Sequence, residues 1–131
     1  MLTGYPTILV VDDHVILRRT LYDWLMLNIH PCQIIEAGCG EEALTQVSTI
    51  PPHLVIMDIS LPDMDGIQVT KQIKKLFSDV LVVVLSTHEE NVYKEEAARA
   101  GADAYVTKRE MRNNLIPVLK QLLNLDMRPN R

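Results

Sequence analysis

Five stretches of this chain are apolar at every or nearly every position: residues 8–11 (ILVV), 34–35 (II), 54–57 (LVIM), 80–85 (VLVVVL) and 104–106 (AYV). Continuous runs, as opposed to alternating ones, belong to strands covered on both faces, the condition of a parallel sheet. Between them the apolar residues fall into helical spacing. One set is Val15, Leu17, Leu21, Trp24 and Leu25; the next are Ala43, Leu44 and Val47, then Ile67, Val69, Ile73 and Leu76, and finally Val92, Ala97, Ala98 and Ala100. Strand and helix alternate five times. Right-handed βα units of this length predict an α/β fold, a doubly wound five-stranded parallel sheet of flavodoxin-like order 2-1-3-4-5 with helices on both faces.

The helix breakers agree with that alternation. Pro51 and Pro52 stop the second helix, Pro62 and Gly66 shape the loop after Asp58, and Gly101 caps the fourth helix. Pro117 is tolerated in the first turn of a helix, where its missing N–H has no intrahelical partner. With Asn113 or Asn114 as N-cap, the last helix is therefore expected to start late, after an irregular KREMRN segment at 108–113. At 131 residues the chain fits one domain, with a core over about 7–125 and a polar tail at 126–131.

Composition narrows the function classes. A net charge of −4 provides no basic field, so this segment is not expected to grip nucleic acid. Cys32 and Cys39 are too few for a disulfide scaffold and read as reduced thiols. The start MLTGYP lacks a basic segment followed by an apolar one, and the aliphatic run at 80–85 is far too short to span a bilayer. The expectation is a cytoplasmic protein with no membrane partner.

The chemistry lies where strands are predicted to end. Asp12 and Asp13 follow the first run, Asp58 the third, Ser86 the fourth, and Lys108 the fifth. Parallel strands bring their carboxyl ends to one edge, so these side chains converge there. Three carboxylates in one place repel, and a hard divalent cation such as Mg²⁺ relieves the repulsion. A carboxylate facing such an ion can attack phosphorus, while an ammonium and a hydroxyl hold the phosphoryl oxygens. Singly, each residue has a plainer explanation. An acidic pair is usually a solvated turn, a lone lysine a surface side chain, and a strand-end tyrosine such as Tyr105 a packing residue. The matched positions carry the functional reading. Among the histidines, His30 and His53 flank prolines in loops, whereas His88, two residues after Ser86, can line the path of a hydrolysing water. Asp63 and Asp65 read as turn and N-cap residues.

The segments VVDDH at 10–14, VIMDISLPDMDG at 55–66, VVLST at 83–87 and GADAYVTK at 101–108 together resemble the receiver domain of two-component response regulators. The resemblance implies that Asp58 accepts a phosphoryl group from a histidine kinase or histidine phosphotransfer protein. It also implies that Asp13, Asp58 and the Ser60 main-chain carbonyl hold Mg²⁺, with Asp12 acting through water. Lys108 would pair with Asp58 and then with the phosphoryl group. Ser86 and Tyr105 would switch the surface of the fourth helix, fifth strand and fifth helix, while Ser60 and His88 would modulate hydrolysis. An activation-dependent homodimer through that surface is a further expectation. Where relatives commonly carry proline after the lysine, Arg109 stands here. The opening DDHVILRRTL is similar to receivers that precede a LuxR-type helix-turn-helix, which points to control of transcription.

Two rivals come from other classes. A haloacid-dehalogenase-like phosphatase also combines Asp, Mg²⁺ and Lys on a parallel sheet. It requires an acidic pair with one residue between, whereas this chain has DDH and no cap insertion. A pseudo-receiver interaction module would lack the acceptor or the lysine, and both are present.

Overall fold

The structure, a computed structural model, describes residues 4–124. In chain order the elements are β1 (Thr7–Val11), α1 (Val15–Asn28), β2 (Gln33–Ala37), α2 (Gly40–Thr49), β3 (Leu54–Met57), α3 (Gly66–Leu76), β4 (Leu81–Ser86), α4 (Asn91–Arg99), β5 (Ala104–Thr107), a 3₁₀ turn (Lys108–Glu110) and α5 (Met111–Leu122). The strands are all parallel and lie in the order β2-β1-β3-β4-β5, as the alternation predicts. The tail at 126–131 lies outside the described residues.

Burial explains why three of the runs are stronger than the other two. β1 and β3 are buried at every position, and β4 at all but its first. Their alternate side chains feed two separate cores. Ile8, Val10, Ile56 and Leu85 pack with Leu21 and Leu25 of α1 and Leu115 and Leu119 of α5. Leu9, Val11, Val55 and Val82 pack on the opposite face with Val47 of α2 and Val69 and Ile73 of α3. β2 and β5 are the edge strands and are only partly covered, so polar residues interrupt their apolar runs.

The last helix corrects the sequence reading. It begins at Met111, directly after the 3₁₀ turn, and holds Pro117 in its interior instead of its first turn. The proline ring removes one N–H, which leaves the Asn113 carbonyl without its usual donor. Both residues are exposed, so water can satisfy that carbonyl, while Leu115 and Leu119 anchor the same helix in the core. Packing outweighs the local penalty. Among the described residues the cis peptide is His30–Pro31, so Lys108–Arg109 is trans.

Two glycines are required by close approach or backbone sign. A Cβ at Gly66 would stand 1.9 Å from the Asp58 carbonyl oxygen, so the loop after β3 closes only with glycine there. Gly101 has φ of +102°, and its N–H donates to the Ala98 carbonyl to end α4.

Candidate functional site

Register brings the acidic residues together. Val11 of β1 lies beside Met57 of β3, and Met57 beside Val84 of β4, so the residues after β1 and β3 emerge side by side. The Asp58 N–H donates to the Val11 carbonyl at 3.0 Å and the Asp12 N–H to the Ala37 carbonyl at 3.1 Å. Carboxylate oxygens of Asp12, Asp13 and Asp58 come within 4.8 Å of one another. Asp12 and Asp58 are buried, whereas Asp13 is exposed.

Buried carboxylates need partners, and these have them unequally. Asp12 accepts from the His14 N–H at 2.8 Å and from Lys108 Nζ at 3.0 Å. Asp58 has a longer ion pair with the same ammonium, 3.5 Å, and a long bond from the Ser60 N–H, 3.4 Å. Lys108 thus bridges both acids and sits closer to Asp12. Burial raises the Asp58 pKa above the ordinary carboxylate range; Lys108 pulls it down and Asp12 pushes it up again. A carboxyl with a raised pKa beside two further acids is a site that favours a cation. Three hard oxygen donors suit a divalent ion such as Mg²⁺ in kind and number.

Asp12, Asp13, Asp58, Ser60 and Lys108 line an open cleft of about 550 Å³, together with His14, Leu17 and Thr87. A cavity of about 620 Å³ at the other end of the sheet, around Pro52, Phe77 and Leu123, contains no comparable convergence of charge.

Ser86 and Tyr105 lie to one side of this cleft. Ser86 is fully buried, and its Oγ accepts from the His88 N–H at 3.0 Å. The Tyr105 hydroxyl donates to the His88 carbonyl at 2.7 Å, while its ring packs by the Ile59, Val84 and Ala97 cluster. Burial pushes the Tyr105 phenol up. The His88 ring stacks on Tyr93 of α4 at 4.1 Å between centroids, and its Nε2 stands 3.4 Å from Ser60 Oγ. His88 therefore touches Ser60, Ser86 and Tyr105 together, an arrangement the sequence reading did not foresee. His53 is structural, its Nδ1 accepting from the Thr7 N–H.

Two further roles escaped the sequence reading. Asp65 caps its own helix, accepting from the Ile67 N–H at 2.8 Å, as expected. Asp63 caps a different one. Its two oxygens accept from the N–H groups of Gly40 and Glu41 at the start of α2, each at 2.8 Å, and these bonds lower its pKa. Arg18, which lies within the opening segment DDHVILRRTL, donates from Nη1 to the Asp12 carbonyl at 2.6 Å and from Nε to Glu36 at 2.9 Å. Helical side chains lean toward the helix N-terminus, so an arginine one turn into α1 was a readable signal for contact with the end of β1.

The family model for the response regulator receiver domain matches residues 8–120. This chain belongs to that family. Response regulators are signalling proteins, not enzymes in the ordinary sense. The receiver domain is 38% identical over 101 residues to the transcriptional activator protein ExaE of Pseudomonas putida, a match spanning 77% of this chain and 47% of ExaE. It is 30% identical over 116 residues to the response regulator GacA of Pseudomonas aeruginosa, spanning 88% of this chain and 54% of GacA. The receiver domain thus spans about half the length of the curated relatives it matches. Among solved structures it superimposes on a two-component response regulator of the LuxR family from Aurantimonas sp. with a TM-score of 0.83. Identity in that pair is 28%, over 97% of this chain and 92% of that one. Among the described residues no helix is long and apolar enough to cross a membrane.

Proposed function

We propose that this receiver domain is a phosphorylation-dependent switch in which Asp58 takes a phosphoryl group from a histidine kinase or histidine phosphotransfer protein. The observation that carries this reading is the position of Asp58. It is a buried carboxylate of raised pKa at the mouth of the cleft, flanked by Asp12 and Asp13 and paired only loosely with Lys108. An Asp58 oxygen attacks phosphorus, the bond from phosphorus to the donor imidazole breaks, and that imidazole leaves with its electron pair. Asp12, Asp13, Asp58 and the Ser60 carbonyl would hold Mg²⁺, which when bound neutralises charge on the phosphoryl oxygens. Lys108, already 3.5 Å from Asp58, supplies a second positive charge to those oxygens.

The output is a repacked surface. Ser86 turning toward the phosphoryl group releases the His88 N–H, and the loop that carries His88 also holds the Tyr105 hydroxyl. Displacing that loop moves Tyr105 and α4 together. His88 and Ser60 flank the approach of water to Asp58 and so set the lifetime of the phosphoryl group. ExaE is a transcriptional activator, which supports control of transcription by way of an effector domain or a partner.

Incubation with a small acyl phosphate and Mg²⁺ tests the reading. One labile adduct on Asp58 is expected, absent from Asp58→Asn. An adduct that persists in that variant, or none in the wild type, overturns it; the second outcome would make the domain a pseudo-receiver.

A further inference from the structure

We infer that Arg18, with Glu36 as its counter-charge, is a positioning residue that sets the Asp12–Asp13 turn for cation binding. The inference rests on the reading that the acidic cluster takes a divalent ion. Asp13 is exposed, and among the described residues no side chain holds it, so its carboxylate goes where its backbone sends it. The preceding peptide carbonyl, that of Asp12, is gripped by Arg18 Nη1 at 2.6 Å. The Asp12 N–H and side chain are bonded elsewhere, to Ala37 and to His14 and Lys108. The Asp12–His14 bond closes the same turn, and Arg18 is the side chain that grips the carbonyl of the peptide leading into Asp13, so the two together set its tilt.

The arginine is itself held. Its Nε donates to Glu36 Oε1 at 2.9 Å, and its side chain is only 17% exposed. Glu36 stands beside Val10 in the sheet, so the fork joins β2 to the end of β1 through α1. A Cβ at Gly38 would lie 3.3 Å from Nη1, which shows how closely the next loop covers the guanidinium. Arg19 also approaches Glu36, at 3.8 Å, but is largely exposed and forms a looser pair.

Two opposite effects of Arg18 on a cation must be compared. Its charge repels a cation, while its hydrogen bond orders the turn that receives one. Glu36 offsets the charge at close range, so the repulsion is largely cancelled and the ordering remains. Partners behind metal ligands commonly change affinity by about 10- to 100-fold when removed.

Mg²⁺ titrations of the ¹⁵N-labelled chain, followed by amide shifts, test this together with amide exchange at Asp13 and His14 in the absence of metal. Arg18→Met should weaken Mg²⁺ binding about tenfold and speed exchange at these two amides. Arg18→Lys keeps the charge but not the planar fork and should show a smaller loss. Glu36→Gln retains an acceptor for Nε but exposes the positive charge, so its loss should shrink at high salt. If Arg18→Met does not fold, the other two variants decide. Unchanged Mg²⁺ affinity and exchange in the Arg18 variants would overturn the proposal, and tighter binding would show that Arg18 acts by repulsion. A wild type that binds no Mg²⁺ would instead overturn the metal reading, and the exchange rates would still decide whether Arg18 orders the turn.

Discussion

The two sides of the cleft are built from different bonds. On the β1 side, Asp12, Lys108, Arg18 and Glu36 are joined by charged groups at 2.6 to 3.0 Å. On the β4 side, Ser86, His88 and Tyr105 are joined by neutral hydroxyl and main-chain bonds at 2.7 to 3.0 Å, with one aromatic stack. Charge-assisted bonds are roughly twice as strong as neutral ones. The first side is suited to hold ligands still, and the second to exchange one set of partners for another at little cost. Asp58, with its two long contacts, stands between them.

The largest expected effect removes the centre that both sides serve. Asp58→Asn should abolish the acyl phosphate adduct, as measured by mass spectrometry. In the apo protein it should also raise the melting temperature near pH 7. Because the folded pKa of Asp58 is raised, its ionisation weakens the fold as pH climbs from the unfolded value of about 3.9 through the folded one. The gain should be seen by calorimetry near pH 7 and should vanish at pH values below the unfolded value of about 3.9.

Next comes a break on the anchored side. Asp13→Asn should weaken Mg²⁺ binding by at least about tenfold, measured by calorimetry, and leave the Ser86, His88 and Tyr105 amide shifts of the apo protein unchanged. Shifts spreading to those residues would mean that the two sides are not separate.

A break on the other side should reverse that pattern. Ser86→Ala and Tyr105→Phe should keep Mg²⁺ affinity and reduce the shift changes over residues 88–109 when beryllofluoride is added. One neutral hydrogen bond contributes about 1 kcal/mol, roughly a fivefold change in the switching equilibrium. Full-sized changes in both variants would remove the switch role from this side.

Asp63→Ala probes the support beneath the cleft. The folded pKa of Asp63 is depressed, so its contribution is present above the unfolded value of about 3.9 and fades as pH falls through the folded one. The variant should melt lower than wild type near pH 7 and equally near pH 2. Equal melting at both would deny the cap.

The smallest effect is association. The surface from Glu89 to Lys120 carries Glu90, Lys94 and Glu96 together with Arg112 and Lys120, but Glu89 is already paired with Arg109 at 3.3 Å and Glu95 with Arg99 at 3.9 Å, while Lys108 is drawn into the cleft by Asp12 and Asp58. Surface pairs contribute about 0 to 1 kcal/mol each, so an activation-dependent dimer should be weak and lost at high salt in sedimentation. A tight dimer indifferent to beryllofluoride would separate association from the switch.

What was legible in the chain follows from periodicity. Strands buried on both faces must be apolar throughout, so β1, β3 and β4 were visible as runs, and the parallel order then required Asp12, Asp58 and Ser86 to share an edge. The shorter runs of β2 and β5, at 34–35 and 104–106, were also read, although their partial exposure at the sheet edges leaves them weaker.

Only the tertiary structure decided which partners those residues take. Pro117 in a helix interior is allowed because Leu115 and Leu119 are anchored in the core, a term no local propensity contains. Asp63 caps α2 because the loops after β2 and β3 meet in space, 22 and 23 residues apart in the chain. Lys108 divides itself between Asp12 and Asp58, and Arg18 adds Glu36 of the edge strand to its contact with Asp12, through distances that no spacing encodes. Sequence by itself determined which groups arrive at the sheet edge, since burial dictates the strands. The bonds among them depend on contacts between segments remote in the chain, and those exist only once the layers have packed.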